Sequence, residues 1–178
     1  LGPYFITTRH GKRCSSATAF LHPAIKRSRL KVLTHATVEK IIINNRRAEA
    51  VVCRYQGREH RFLARREILV CTGAINSPKL LQLSGIGPGE LLHRFNIPVL
   101  IDQPNVGQHL QDHLGISYYY RANRPTLNDV LGNWPGRIRS GLQYLLRRTG
   151  PLSLSVNQFG GLARSDPTSN KIDTQLYF

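Results

Sequence analysis

Apolar residues in the first third of the chain come in short runs rich in β-branched side chains, with polar turn residues between them. Val38–Ile43 reads as a strand, and Asn44-Asn45 supply the turn that ends it. Ala48–Gln56 reads as a second strand, with Val51, Cys53 and Tyr55 on one face. Gly57 breaks it, and Arg61–Ala64 is a third, shorter run. This spacing predicts an antiparallel meander. Ahead of it, Lys31–Thr34 has strand character. Ser15 is placed to cap a short helix over Ser16–Leu21 that ends before Pro23.

The pattern then changes. Glu67–Cys71 is a nearly continuous apolar run closed by Gly73, as expected of a strand buried on both faces of a parallel sheet. Ser77 and Pro78 have the form of a cap and first helical residue, with Leu80, Leu81 and Leu83 as the apolar side and Gly85 as the stop. A second short helix fits Gly89–Phe95. Ile97–Ile101 and Ile116–Tyr120 read as strands flanking a loop over Pro104–His113. Pro135–Arg148 is the clearest helix: Ile138, Leu142 and Leu145 fall at i, i+4 and i+7, the spacing of one buried stripe. Gly150-Pro151 ends it. Val156–Ala163 and Thr174–Phe178 read as two further strands joined through Asp166-Pro167.

Composition bounds the interpretation. With 178 residues there is room for one domain or pieces of two. The absence of Met and a start at Leu1 lead us to expect an internal piece of a longer protein, with catalytic parts outside it. No apolar run reaches the roughly 18–20 residues of a membrane helix. The net charge of +15 raises a nucleic-acid-binding module as a rival reading. The basic residues are nevertheless spread in pairs such as Arg46-Arg47 and Arg147-Arg148, without interleaved aromatics. That distribution describes a solvated basic surface, and no nucleic-acid partner is assigned. Cys14, Cys53 and Cys71 show no Cys-x-x-Cys spacing, which argues for reduced thiols and, for Cys53, a packing role.

Three stretches are candidates for chemistry. Gly85-Ile86-Gly87-Pro88-Gly89 resembles a phosphate-binding turn superficially, but it follows a helix instead of a strand, and Pro88 lacks an N–H. It is read as a helix stop and tight turn. Thr72-Gly73-Ala74 lies between a predicted buried strand and a helix, where ligands sit in open α/β sheets. His109 and His113 have the i, i+4 spacing of helical metal ligands, but Gly107 and Gly115 frame a loop, and Leu110 stands where a zincin has Glu. No metal is assigned.

At the level of whole motifs, Gly73–Gly87 resembles, over fifteen residues, the second signature of the glucose–methanol–choline (GMC) oxidoreductases. Gly11–Ser16 is similar to the family's G-x-R-x-S segment, Leu30–Val38 to its N-L-x-V-x-T-x-A-x-V strands, and Pro104–His113 to P-G-V-G-x-N-L-Q-D-H. Asp173-Thr174-Gln175 is similar to the D-x-Q strand of the substrate domain. Asn105 and His109 depart from the pattern, which has Gly and Asn there.

The resemblance implies an α/β fold with α+β elements. Residues 1–115 would be part of a Rossmann-like FAD-binding domain carrying the antiparallel meander, and 116–178 the start of a substrate-binding α+β domain. It implies FAD-dependent oxidation of a small-molecule alcohol, of the choline-dehydrogenase type, with hydride passing to the flavin and the hydroxyl proton to a base. No electron acceptor is identified. Val38, through its backbone, and the Thr72-Gly73-Ala74 turn would meet FAD, and Asn157 would face substrate. The family's G-x-G-x-x-G is expected before Leu1 and its catalytic His after Phe178, so no catalytic residue is assigned. A non-catalytic remnant of such an enzyme is the further alternative.

Overall fold

The computed structural model describes residues 1–154, 157 and 159–177. In chain order the elements begin with β1 (Gly2–Pro3), β2 (Thr8–Arg9), β3 (Lys12–Arg13), a π-helical turn at Ala17–Leu21 and α1 (His22–Ile25). The meander follows as β4 (Thr37–Asn44), β5 (Arg47–Tyr55) and β6 (Arg58–Leu63). Then come α2 (Gly73–Leu83), β7 (Ile86–Gly87), α3 (Gly89–Arg94) and β8 (Ile101–Asp102). The last part holds α4 (Leu127–Leu131), α5 (Trp134–Arg147), a 3-10 turn at Pro151–Ser153, β9 (Phe159–Ala163) and β10 (Thr174–Tyr177). Helices and strands are thus mixed, as expected. No helix among the described residues is long and apolar enough to cross a membrane.

These elements make two compact units, Val32–Ser117 and Leu1–Lys31 with Tyr118–Phe178. In the Val32–Ser117 unit the antiparallel order β4-β5-β6 matches the expected meander. Its turns explain the register. Asn45 and Arg46 have φ of 48° and 63°, and Gln56 and Gly57 have 50° and 74°. Paired left-handed residues make the tight two-residue turn whose twist suits antiparallel strands. An extra residue, Glu39, sits between the pairs Val38↔Cys53 and Lys40↔Val52, so β4 carries a bulge beside Val38. Ile41, Ala50, Val52 and Cys53 are buried, which bears out the packing role of Cys53.

α2 packs on β4, and Ser84 at its end joins the two. The Ser84 hydroxyl accepts from the Ile41 N–H at 2.8 Å and donates to the Leu80 carbonyl at 2.6 Å. Gly85 stops the helix with φ +85°; a Cβ there would lie 2.7 Å from the Pro98 carbonyl oxygen. β7 and β8 form a short parallel pair, and Leu92 on α3 is fully buried.

In the other unit β9 lies between β1 and β10, both antiparallel to it. α5 begins at an Asn133 cap, whose side-chain oxygen accepts from the Gly136 N–H at 2.8 Å.

Several expectations are corrected. Glu67–Cys71 is not a strand: no described strand pairs with it, and Leu69 and Cys71 are exposed. A run buried on both faces needs neighbouring strands to receive its backbone, and the described residues supply none. α2 starts at Gly73, not at Ser77-Pro78, so Pro78 lies inside the helix, where it has no N–H to give the Ala74 carbonyl. Lys31–Thr34 and Ile116–Tyr120 are irregular, and only Ile101 of Ile97–Ile101 is in a strand. The helix after Ser15 continues through Pro23, which occupies the tolerated first turn of α1. The stripe Ile138, Leu142 and Leu145 is exposed at 58%, 53% and 66%. α5 instead turns inward the side bearing Ser140, which is buried, and half-buried Tyr144. Of the strand expected over Val156–Ala163, Val156 and Gln158 lie outside the described residues; Phe178 does so at the chain end.

Candidate functional site

The predicted cofactor residues lie in the Val32–Ser117 unit. Thr72 is the N-cap of α2 but makes no side-chain capping bond; its hydroxyl lies 3.1 Å from that of Ser77. No side chain among the described residues accepts from the first amides of α2. The helix therefore begins with unpaired N–H donors and the positive end of its dipole, the arrangement that receives an anionic group. Gly73 has φ +86°, which a residue with a Cβ adopts at a cost. A Cβ there would meet nothing within 4 Å, so backbone conformation, not crowding, requires the glycine. Thr72, Gly73 and Ala74 are all exposed.

Val38 lies on β4 next to the bulge and is 39% exposed. β4 is an edge strand, so alternate backbone groups point away from β5. Ile41 uses that freedom to donate its N–H to Ser84. Val38 and residues 72–74 thus share one unit, but no hydrogen bond joins them among the described residues. The exposed N–H groups at the start of α2 suit an anionic group.

The glycine cluster behaves as the sequence suggested. Gly89 donates its N–H to the Asp102 carboxylate at 2.9 Å, and the Gly85 carbonyl accepts from Leu100 and Ile101 at 2.8 and 3.1 Å. These backbone groups are occupied by protein partners. The His109–His113 stretch is a loop, without the helix that would align the two rings. No cluster of three or more His, Cys, Asp or Glu is arranged for a metal among the described residues.

Two linkages escaped sequence reading. Gln82 donates to the Val106 carbonyl at 3.0 Å and fills the space beside Gly107, whose φ is +85°. It ties α2 to the following loop; a polar residue amid the leucines of α2 was the only available signal. His109 Nε2 lies 3.4 Å from Asn105 Oδ1. The two departures from the family pattern therefore face each other, and His109 takes φ +57°, a conformation that Asn, the family's residue there, adopts more readily than most.

The predicted substrate residue lies in the other unit. Asn157 is exposed and lines a cavity of about 820 Å³ with Tyr4, Gln175 and Tyr177. The Tyr4 hydroxyl donates to the Leu176 carbonyl at 2.8 Å, and its ring is 5.4 Å from that of Tyr177. Gln175 reaches the Tyr4 hydroxyl at 3.4 Å. Before this strand, the Ser165 hydroxyl and N–H both donate to Asp173, holding its carboxyl below the usual aspartate range.

The chain is similar to several known proteins. A family model described as GMC oxidoreductase matches residues 1–115. The oxygen-dependent choline dehydrogenase of Pseudomonas fluorescens (strain SBW25) is 38% identical over 173 residues, covering 96% of this chain and 30% of its own length. An FAD-dependent oxidoreductase from Chaetomium thermophilum superposes with a TM-score of 0.74 at 29% identity, over 83% of this chain and 26% of that one. A formate oxidase from Aspergillus oryzae RIB40 gives 0.74 at 28% identity, over 89% and 28%. The chain thus spans about 30% of the length of the curated relative it matches. A match through all of 1–115, including the α2 signature and the Gly107 loop that Gln82 ties to it, places this chain in the GMC oxidoreductase family.

Proposed function

We propose that the complete protein is an FAD-dependent oxidoreductase acting on the CH–OH group of an alcohol. The carrying observation is the family match over 1–115, with 38% identity to a choline dehydrogenase over 96% of the chain. Bound FAD would supply the electron sink for oxidation at the carbinol carbon.

In this reading Val38 contributes backbone groups of the β4 edge to the adenine. The amides after Thr72 receive an anionic portion of the cofactor, and Gly73 gives the chain its turn into α2. The cofactor-binding part is taken as 1–115 and the substrate-binding part as 116–178; a compact unit ends at Ser117, while residues 1–31 pack with 118–178. Asn157 offers the substrate an amide NH2 with two donors and a carbonyl oxygen acceptor.

The test is to purify the product of the complete gene, reconstitute it with FAD and add primary alcohols. A bound flavin absorbance that bleaches is expected. Protein that stays colourless after reconstitution overturns the proposal. Gly73→Val should weaken retention of FAD in the same assay, because valine resists positive φ.

A further inference from the structure

The positive charge of the chain is unevenly divided between its two compact units. The unit made of Leu1–Lys31 and Tyr118–Phe178 holds fifteen Lys and Arg against three Asp and no Glu, which is +12 of the chain's +15. Its three aspartates are engaged locally: Asp129 by Thr126, Asp166 by Thr168 and Asp173 by Ser165. α5 belongs to this unit and contains no acidic residue. Buried Ser140 and half-buried Tyr144 mark the side it turns inward. By the helical period, Trp134, Ile138, Leu142 and Leu145 fall on the opposite side, with Leu146 at the margin, and all of them are exposed. Arg139 borders this stripe beside Leu142 and Leu146. On the other border, the Arg137 guanidinium lies 5.8 Å from the centre of the Trp134 ring. An exposed apolar stripe that begins with Trp and is bordered by arginines is the composition of a helix lying in a membrane–water interface. A nucleic acid would use the same cations but leave the apolar side chains in water.

We propose that α5 docks the protein on an anionic lipid surface. Ile138, Leu142 and Leu145 enter the acyl boundary, Trp134 sits at headgroup level, and Arg137 and Arg139 meet the lipid phosphates. The helix lies along the surface, because its 14 residues reach only about 21 Å, short of the roughly 30 Å hydrocarbon core. The attraction has two parts that respond differently. Burial of the stripe is indifferent to moderate salt, whereas the pull on the arginines and on the rest of this basic unit is screened by it. Neither part involves flavin or alcohol, so the inference stands apart from the oxidoreductase reading.

The experiment mixes the complete gene product with vesicles of phosphatidylcholine alone or of phosphatidylcholine with phosphatidylserine, and reads the bound fraction by flotation. Binding to the phosphatidylserine vesicles is expected, weakening as salt is raised, with little binding to phosphatidylcholine alone. Leu142→Glu combined with Leu145→Glu puts carboxylates on the stripe and should abolish binding. Both positions are exposed, and an unchanged far-UV circular dichroism spectrum checks that the variant is folded. Arg137→Gln combined with Arg139→Gln should weaken binding by about tenfold or more and flatten its salt dependence. If the glutamate pair disturbs the fold, the arginine pair decides alone. Absence of binding to phosphatidylserine vesicles overturns the inference: dimerisation lost in the glutamate pair would then assign the stripe to a second copy of the protein, and salt-sensitive retention on duplex DNA would assign the charge to nucleic acid. Vesicle binding that both variants leave unchanged overturns it as well, because another surface would then be responsible.

Discussion

The two units bury their apolar residues very differently. Ile41, Ala50, Val52, Cys53, Leu80 and Leu92, the deeply buried apolar side chains among the described residues, all belong to Val32–Ser117. The other unit contributes none, although it contains the most amphipathic sequence in the chain. In the first unit, strands pair with their immediate neighbours and α2 closes over β4 through Ser84. In the second, α5 packs by its small and polar side and leaves its apolar stripe in water. Apolar periodicity therefore identifies an element without saying which of its faces the rest of the chain will meet.

The largest test of this contrast is a pair of truncations in the 178-residue chain. Leu92→Ala should cost about 2–5 kcal/mol, since it opens a cavity around a fully buried side chain. Leu142→Ala, on the exposed stripe, should stay within about 0.5 kcal/mol. Urea unfolding measures both. Equal costs would break the contrast and show that α5 is covered.

A smaller effect is expected at the hinge between β4 and α2. Ser84→Ala leaves the buried Ile41 N–H without its acceptor and should cost about 1–3 kcal/mol. Hydrogen exchange should quicken first at the Ile41 amide. Unchanged protection there would mean that α2 is held on β4 by apolar contact alone.

What was legible in the sequence follows the range of the forces involved. The meander was legible because β-branched runs and their turns act over a few residues. The helix stop at Gly85 was legible because only a positive φ with no room for a Cβ explains a glycine there. The start of α2 was not, because Ser77-Pro78 imitates a cap and nothing local shows the helix already running from Gly73. The strand expected over Glu67–Cys71 failed for a different reason: pairing is not local, and an apolar run cannot report whether a partner is present. The candidate site divides in the same way. Gly73 stood out from sequence, whereas the bulge beside Val38 and the cavity around Asn157 arise from distant pairings.

Below these effects lies the acid response of the second unit. The carboxyl of Asp173 is lowered by the hydroxyl and N–H of Ser165, and that of Asp129 by the N–H and hydroxyl of Thr126. A carboxyl lowered in the folded chain stabilises it above its unfolded value, and the benefit is lost as pH falls through the folded one. Both carboxyls are exposed, so a local response is expected. On acidification below the usual aspartate range, the Ser165 and Thr126 amides should lose hydrogen-exchange protection before those of β5. Simultaneous loss throughout would show that the two units do not respond separately.

The smallest expected change is a gain, and it falls in the better-packed unit. Arg46 occupies the second position of the β4–β5 turn at φ 63°, where a side chain is strained and glycine is not. The equivalent position of the β5–β6 turn already holds Gly57, at φ 74°. Arg46→Gly removes the strain but also gives the unfolded chain more freedom, so the two effects partly offset. A net stabilisation of up to about 1 kcal/mol is expected, read as a higher urea midpoint with an unchanged slope. Because Arg46 is exposed, the same substitution removes one unit of positive charge at no packing cost. A lower midpoint would mean that the added freedom of the unfolded chain outweighs the relief of strain at this position.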